Sequence, residues 1–267
     1  MSVQTIKKGN LEYLAAQGIS VPHCFTTRYG GVSTGSQCSL NLAYGRGDTM
    51  ENVEKNLHIL GDALGFDPQK LVMTYQIHSD IVRVVTDGDC RGLCHRDYPQ
   101  CDALITNTPG VALMVFTADC TPLLFHDPVT GAVGAAHAGW RGTAKAIGVK
   151  VVEAMVQHFG CDPKNIRAAI GPNIGQCHFE TDEDVPNALT ETYGKEMVAP
   201  FVLKKGEKYF VDLKKINAAA LASAGVTQIE ISEDCTMCQP DRFWSHRYTK
   251  GQRGSQGAVI LCREVEK

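Results

Sequence analysis

No stretch of this sequence is apolar for long enough to cross a membrane. The longest apolar runs, such as 111–116, fall far short of the ~20 residues a spanning helix needs. The first ten residues are polar, carry two lysines and hold no apolar stretch of signal-peptide type, so the chain reads as cytoplasmic. Charge of one sign is scarce as well. Net charge is −3, with neither an acidic tail nor a basic run, and that argues against non-specific nucleic-acid binding. There is no internal repeat, no low-complexity segment and no Pro/Gly/Ser linker, so the 267 residues are expected to form one domain. At 43% apolar and 21% charged residues the composition is that of a globular protein. A chain of this length buries roughly 70–75% of the surface its unfolded form exposes, so no disulfide staple is required.

What the sequence has in excess is cysteine. There are 11, an odd number in a chain that is neither short nor secreted, so reduced thiols are the expectation. Most should be small buried apolar residues. One or two carry the chemistry.

Hydrophobic patterning predicts strands over 21–28, 71–77, 81–86, 103–106, 111–117, 122–126 and 131–137. Helices are expected over 50–64, 143–158 and 212–225, with a fourth around 182–193. In the first, Val53, Leu57, Leu60 and Leu64 fall on one face, and Asp48 with Glu51 suggests a capping box. The second begins at Thr143, read as its N-cap, and stops at Gly160. Several strands follow one another between helices one and two. That order disfavours strict βαβ alternation and predicts an α+β fold of mixed sheets flanked by helices.

Three polar residues lie in or beside apolar strands: His78, Cys120 and His137. Two imidazoles and a thiolate are what Zn²⁺ prefers, and a catalytic zinc keeps three protein ligands and one open position. Such an ion brings the pKa of its water down towards ~7. A nucleophilic Cys120 with His137 as base uses the same residues, and spacing alone does not separate the two. The turn at 139–143, with Arg141, offers backbone amides and a guanidinium to an anion ahead of a helix. Cys90, Cys94, His95 and Cys101 form a local cluster that lacks a paired zinc knuckle. Cys235 and Cys238 form a C-x-x-C outside the strand–helix context of a redox pair.

Taken together these segments resemble one family. FTTRYGGVS at 25–33, SLNL at 39–42, QIHS at 76–79, CDAL at 101–104 and ADCTP at 118–122 appear in its order. AAHAGWRG at 135–142, IGPNIG at 170–175, YFVDL at 209–213, CT at 235–236 and SHR at 245–247 continue it, so the resemblance spans about 21–262. It is to the bacterial laccase-like multicopper polyphenol oxidoreductases. Their members are also described as purine nucleoside phosphorylases, and the human laccase domain-containing protein is a relative. The resemblance implies an α+β fold and a Zn²⁺ held by His78, Cys120 and His137, which also form the catalytic set. Copper is the alternative metal. It implies small-molecule partners, purine nucleosides and phosphate. The implied reaction is phosphorolysis of adenosine, inosine, guanosine and methylthioadenosine, with adenosine deamination beside it. Arg28, Asn41 and Arg141 are the candidate substrate contacts. Helix one carries Asn56-Leu57 where the family often shows Asn-Arg; if that arginine holds substrate, Arg28, Arg46 or Arg141 must replace it. Phenol oxidation by several copper centres fits poorly with nine histidines and one His₂Cys set. Two other readings stay open: hydrolysis that edits muramyl-peptide precursors, and a non-enzymatic metal-binding module.

Overall fold

A computed structural model describes residues 3–93 and 99–265. In chain order the elements are β1 (Gln4–Lys8), β2 (Leu11–Ala15), β3 (His23–Thr26), α1 (Met50–Leu64), β4 (Leu71–Met73), β5 (Val82–Val84), β6 (Ala103–Thr106), β7 (Ala112–Thr117), β8 (Thr121–His126) and β9 (Val133–Ala138). Then come α2 (Trp140–Ala144), α3 (Ile147–Phe159), β10 (Arg167–Ile170), β11 (Glu180–Thr181), α4 (Asp184–Tyr193), α5 (Lys195–Val198), β12 (Val202–Lys205), β13 (Lys208–Val211), α6 (Leu213–Ser223), β14 (Gln228–Ile231), α7 (His246–Thr249) and β15 (Gln256–Leu261).

Two six-stranded mixed sheets, ordered β1-β2-β3-β15-β7-β4 and β14-β10-β8-β9-β6-β5, pack face to face; a small third sheet runs β11-β13-β12. Alternation along the strands explains the layering. Leu113 and Val115 of β7 join Leu124 of β8 and Val133 and Ala135 of β9 in the core between the sheets. Their neighbours Ala112 and Met114 turn the other way, onto Val53, Leu57, Leu60 and Leu64 of α1. On the far side, Leu123, Phe125 and Ala136 meet Ile147, Val151 and Met155 of α3. Strands covered on both faces read as continuous apolar runs, which is why the central ones stand out in the sequence. The α+β expectation of mixed sheets flanked by helices holds.

Several boundaries differ from expectation, and local chemistry explains why. Helix α1 runs over the expected residues, but its N-cap is Thr49, whose side chain accepts from the Asn52 amide. Asp48 is instead a loop hub, taking hydrogen bonds from Ser33, Asn41, Thr49 and Asn52. The expected second helix is two. Ala146 adopts φ +60°, which breaks the run between α2 and α3. Gly139, not Thr143, is the N-cap of α2. Thr143 is buried, donating to the Ala138 carbonyl and accepting from Asn217. The strand expected over 71–77 ends at Met73. Gln76 halts it by bonding the Phe116 amide and carbonyl in place of a further ladder step. The sequence pattern passed over β1, β2 and β10 to β15: β1 and β11 lack an apolar run, and the others are short segments of four to six residues.

Candidate metal centre

The antiparallel β8–β9 hairpin pairs Thr121 with Ala138 and Pro122 with His137. That register brings Cys120, just before β8, to the same sheet end as His137 near the close of β9. The loop after β4 supplies His78 at this end. The ligand-type atoms of His78, Cys120 and His137 all lie within 4.8 Å of one another. Cys120 Sγ is 3.9 Å from His78 Nε2. The two imidazoles meet edge-on, with centroids 4.9 Å apart. His137 is buried, Cys120 half-buried and His78 exposed, so the cluster opens to solvent on the His78 side. Gly139 is required here: a Cβ would stand 3.0 Å from His78 Cδ2 and 3.1 Å from Cys120 Sγ.

A residue that sequence reasoning missed organises all of this. Asp102, fully buried, lies 2.8 Å through Oδ1 from His137 Nδ1. The same carboxylate accepts from the Ile77, His78 and Ser79 amides and, at 2.6 Å, from the Ser79 hydroxyl. It sets the orientation of one imidazole and fixes the loop that presents the other. Burial works against its charge, but the His137 and Ser79 hydrogen bonds win and hold the carboxyl well below its usual range. Its signal was CDAL at 101–104: an acidic residue opening an apolar strand has no reason to be there unless it is paired.

Burial opposes charge at Cys120 and His137 too, yet each stabilises the other's charge. The thiol is lowered to about 6, chiefly by His137 and then His78. The imidazole is raised to about 9 by Cys120 and Asp102. Without a metal the pair is a thiolate beside an imidazolium. A metal takes the place of that shared proton, because both donors must then be deprotonated.

Asp119 props up the turn carrying Cys120. Its φ is +86°, and its carboxylate accepts from the Thr236 hydroxyl at 2.6 Å and the Arg247 amide at 2.7 Å. Around it the C-terminal segment gathers positive charge. Arg46 and Arg247 are close enough to act on His246, and Arg46 likewise on Arg253. Burial first, then the Arg46 charge, lowers the Arg253 guanidinium to about 10, still a cation at neutral pH. Arg253 Nη1 donates to the Gly254 carbonyl and Ser255 hydroxyl, while its buried Nε finds no partner among the described residues.

The candidate substrate contacts fall into two groups. Arg141 is exposed at the start of α2, its guanidinium stacked 4.2 Å from the Trp140 ring. Arg28 and Asn41 are occupied elsewhere. Arg28 donates from Nε and Nη2 to the Cys38 carbonyl and from Nη1 to the Pro240 carbonyl, 4.0 Å over Trp244. Asn41 is fully buried; it donates to Ala43 and Asp48 and accepts from the Ala43 and Ser255 amides. The departure at Leu57 also finds its place: that side chain is fully buried in the core under α1. Cys90 is half-buried and Cys101 buried, whereas Cys94 and His95 lie outside the described residues. A cleft of about 970 Å³, lined by Phe66, Lys70, His126 and Arg263 among others, shares no residue with the His78–Cys120–His137 cluster.

The family described as multi-copper polyphenol oxidoreductase laccase matches residues 22–263. A protein of Deinococcus radiodurans named purine nucleoside phosphorylase is 40% identical over 94% of this chain and 92% of its own. Human purine nucleoside phosphorylase LACC1 is 31% identical over 91% of this chain, which matches 56% of the human protein. The crystal structure of YlmD from Geobacillus stearothermophilus superposes with a TM-score of 0.88 at 32% identity, covering 97% of this chain and 99% of that one.

Proposed function

We propose a function from one premise: the chain belongs to the multi-copper polyphenol oxidoreductase laccase family, with relatives that bear the name purine nucleoside phosphorylase. The protein cleaves purine nucleosides with inorganic phosphate, taking adenosine, inosine, guanosine or methylthioadenosine, and deaminates adenosine as a second reaction. The observation that carries this reading is the solvent-facing His78–Cys120–His137 cluster, braced from behind by Asp102.

The donor set suits zinc. Two imidazoles and a low-pKa thiolate are borderline-soft ligands, three in number, which is the protein contribution of a catalytic zinc site. When bound there, zinc supplies Lewis acidity towards a substrate atom. Copper-based phenol oxidation has less support. Among the described residues the metal-competent clusters gather only His78, His137 and His178 of the nine histidines.

In phosphorolysis a phosphate oxygen bonds to C1′ while the bond from C1′ to the purine nitrogen breaks, and that electron pair leaves with the base. The chain must hold an anion beside a carbon that gains positive character. The positive charges of Arg253 and Arg46 fill that role, with His246 beside them; exposed Arg141 is a further donor. The loop that carries His78 exposes Tyr75, Ile77 and Ile81, an apolar rim for the purine. Arg28 and Asn41 act in this reading through the loops they tie.

The test is product analysis by liquid chromatography and mass spectrometry, with zinc-loaded protein and adenosine in phosphate buffer. Adenine with ribose 1-phosphate is the expected outcome of phosphorolysis, and inosine that of deamination. Cys120→Ala should abolish both and lose the metal. A fully active, metal-free Cys120→Ala protein would overturn the reading. Wild-type protein that leaves nucleosides unchanged but hydrolyses muramyl-peptide precursors would replace it with the editing activity.

A further inference from the structure

Beyond the cluster just described, the fold assembles a second set of soft ligands that the proposed reaction does not use. The C-x-x-C at 235–238 lacks a redox setting, but it does not stand alone. Cys177 and His178, almost sixty residues earlier in the chain, fold onto it, and the four ligand atoms lie within 4.8 Å of one another. We propose that Cys177, His178, Cys235 and Cys238 form a second, structural site for a thiophilic divalent cation, of which zinc is the representative.

The distances carry the argument. Zn–S bonds of about 2.3 Å and Zn–N bonds of about 2.0–2.1 Å in a tetrahedron set sulfurs about 3.8 Å apart and each sulfur about 3.6 Å from the nitrogen. Cys177 Sγ and Cys238 Sγ are 3.6 Å apart. His178 Nδ1 stands 3.2 Å from Cys177 Sγ, 3.4 Å from Cys238 Sγ and 3.8 Å from Cys235 Sγ. These four separations lie within about 0.4 Å of the edges of a tetrahedron around one small ion, and the remaining pairs lie within 4.8 Å.

The backbone is also arranged for thiolates. The Gly175 amide donates to Cys235 Sγ at 3.1 Å. Gly175 itself belongs to the cradle: a Cβ there would meet Cys235 Cβ at 3.2 Å and Cys177 Sγ at 3.3 Å. Each ligand pair sits on its own turn, closed by the His178 amide on the Gly175 carbonyl and by the Gln239 amide on the Cys235 carbonyl. Four protein ligands complete a tetrahedron, leaving no open position, so this site is structural and not catalytic. Its mechanical role follows from its neighbours. Thr236, inside the C-x-x-C, donates to Asp119, and the Ile174 amide donates to the Asp119 carbonyl. An ion here would tie together the two segments that grip the turn carrying Cys120.

Metal analysis of the purified full-length protein tests this. Wild type should hold two equivalents of zinc per chain. Cys177→Ser and Cys238→Ser, both at exposed positions, should each hold one, as should Cys120→Ala. Cobalt loaded into Cys120→Ala should give the intense visible bands of a tetrahedral, thiolate-rich site, and adding Cys238→Ser should abolish them. A wild-type content of one equivalent that vanishes in Cys120→Ala would overturn the proposal, as would a Cys177–Cys238 disulfide in protein purified under reducing conditions. These readouts are independent of nucleoside turnover, so failure here leaves the phosphorylase reading standing, and the reverse holds too.

Discussion

Replacing Asp102 by asparagine removes one negative charge and half of the accepting capacity at the point where the loop and the hairpin meet. The carboxylate now serves two groups of donors. Oδ1 faces His137 Nδ1 and the His78 amide, and Oδ2 faces the Ile77 amide, the Ser79 amide and the Ser79 hydroxyl. An asparagine has one oxygen and must choose. With the oxygen towards His137, its NH₂ confronts the Ile77 and Ser79 amides, and only the hydroxyl can turn to accept. The Ser79 amide is buried and, left unpaired, costs about 1–3 kcal/mol, whereas exposed Ile77 can turn its amide to water, so the domain should lose about 1–3 kcal/mol. With the oxygen towards Ser79, the NH₂ confronts His137 Nδ1. That nitrogen then has to accept, the proton moves to Nε2, and the imidazole can no longer ligate a metal. Metal-binding histidines that lose such an outer partner typically lose 10–100-fold in affinity, about 1.4–2.7 kcal/mol. Zinc affinity by competition with a chromophoric chelator, and denaturant unfolding of the metal-free protein, measure the two penalties separately. Ser79→Ala, which removes one hydroxyl and no charge, should cost about 1 kcal/mol and leave zinc affinity near wild type. Asp102→Asn protein with wild-type zinc affinity and wild-type stability would refute the role assigned to this carboxylate.

Gly139→Ala keeps an ordinary backbone conformation but pushes a methyl to 3.0 Å from His78 and 3.1 Å from Cys120. Zinc affinity should fall at least about tenfold, with unfolding free energy within about 1 kcal/mol of wild type; unchanged zinc binding would show that the cluster has slack. Leu57→Arg, which restores the residue common in the family, should destabilise by about 3–5 kcal/mol because it buries an unpaired charge; enhanced turnover in a stable variant would show that position 57 reaches the site. Arg253→Met should raise the KM for phosphate tenfold or more with little change in the KM for nucleoside, and equal effects on both would remove Arg253 from the anion site. Stability should also depend on His126, which is buried with an unpartnered Nδ1. Burial first and then the Arg167 charge lower its folded-state pKa to about 4. Because the folded value lies below the unfolded one, its contribution is complete above about pH 6.5 and is lost as pH falls towards 4, for a total of about 3 kcal/mol. His126→Gln should flatten unfolding free energy over that window, and an unaltered slope would assign the pH dependence elsewhere.

Strands β7, β8 and β9 were legible because burial on both faces leaves unbroken apolar runs, and α1 because it repeats its leucines at helical spacing, but β15, wholly buried at the middle of its sheet, was passed over. Even so, periodicity did not mark the break at Ala146. Nothing in the apolar pattern of 143–158 distinguishes one helix from two when the interruption is a single residue at positive φ. The candidate ligands were legible as types: His78, Cys120 and His137 are polar residues at the ends of apolar strands, and the fold brings their ligand-type atoms within 4.8 Å of one another. That they meet depends on hairpin register and on a loop anchored by a distant carboxylate, neither of which is local information. Asp102 was missed for this reason. Arg28 and Asn41 teach the opposite lesson. A polar residue in a distinctive motif reads as a ligand contact, whereas in the fold Arg28 bonds backbone carbonyls and Asn41 bonds backbone groups and the Asp48 carboxylate, so both also shape loops. The Cys177–Cys238 cluster divides between two segments, and its C-x-x-C half looked like a fragment because its partner pair is so far away in the chain.

The geometry around Cys120 and His78 has a common logic. Both candidate ligands sit on turns with a non-glycine residue at positive φ, Asp119 at +86° and His78 at +59°. Such conformations cost of order 1–3 kcal/mol each and persist only where the surroundings over-determine them. At each turn a carboxylate does this. Asp102 accepts three successive amides from 77–79, and Asp119 takes one hydroxyl and one amide from the segment 236–247. The anions that fix the turns also bear on the chemistry: Asp102 makes His137 more basic, while the positive groups around Asp119 favour a thiolate at Cys120 and an incoming anion. Holding the ligands on strained turns and the strain on buried hydrogen bonds leaves the cluster with little freedom to rearrange. Under the proposed function, what enters the cluster is selected by its exposed surroundings, where Tyr75, Ile77 and Arg247 stand.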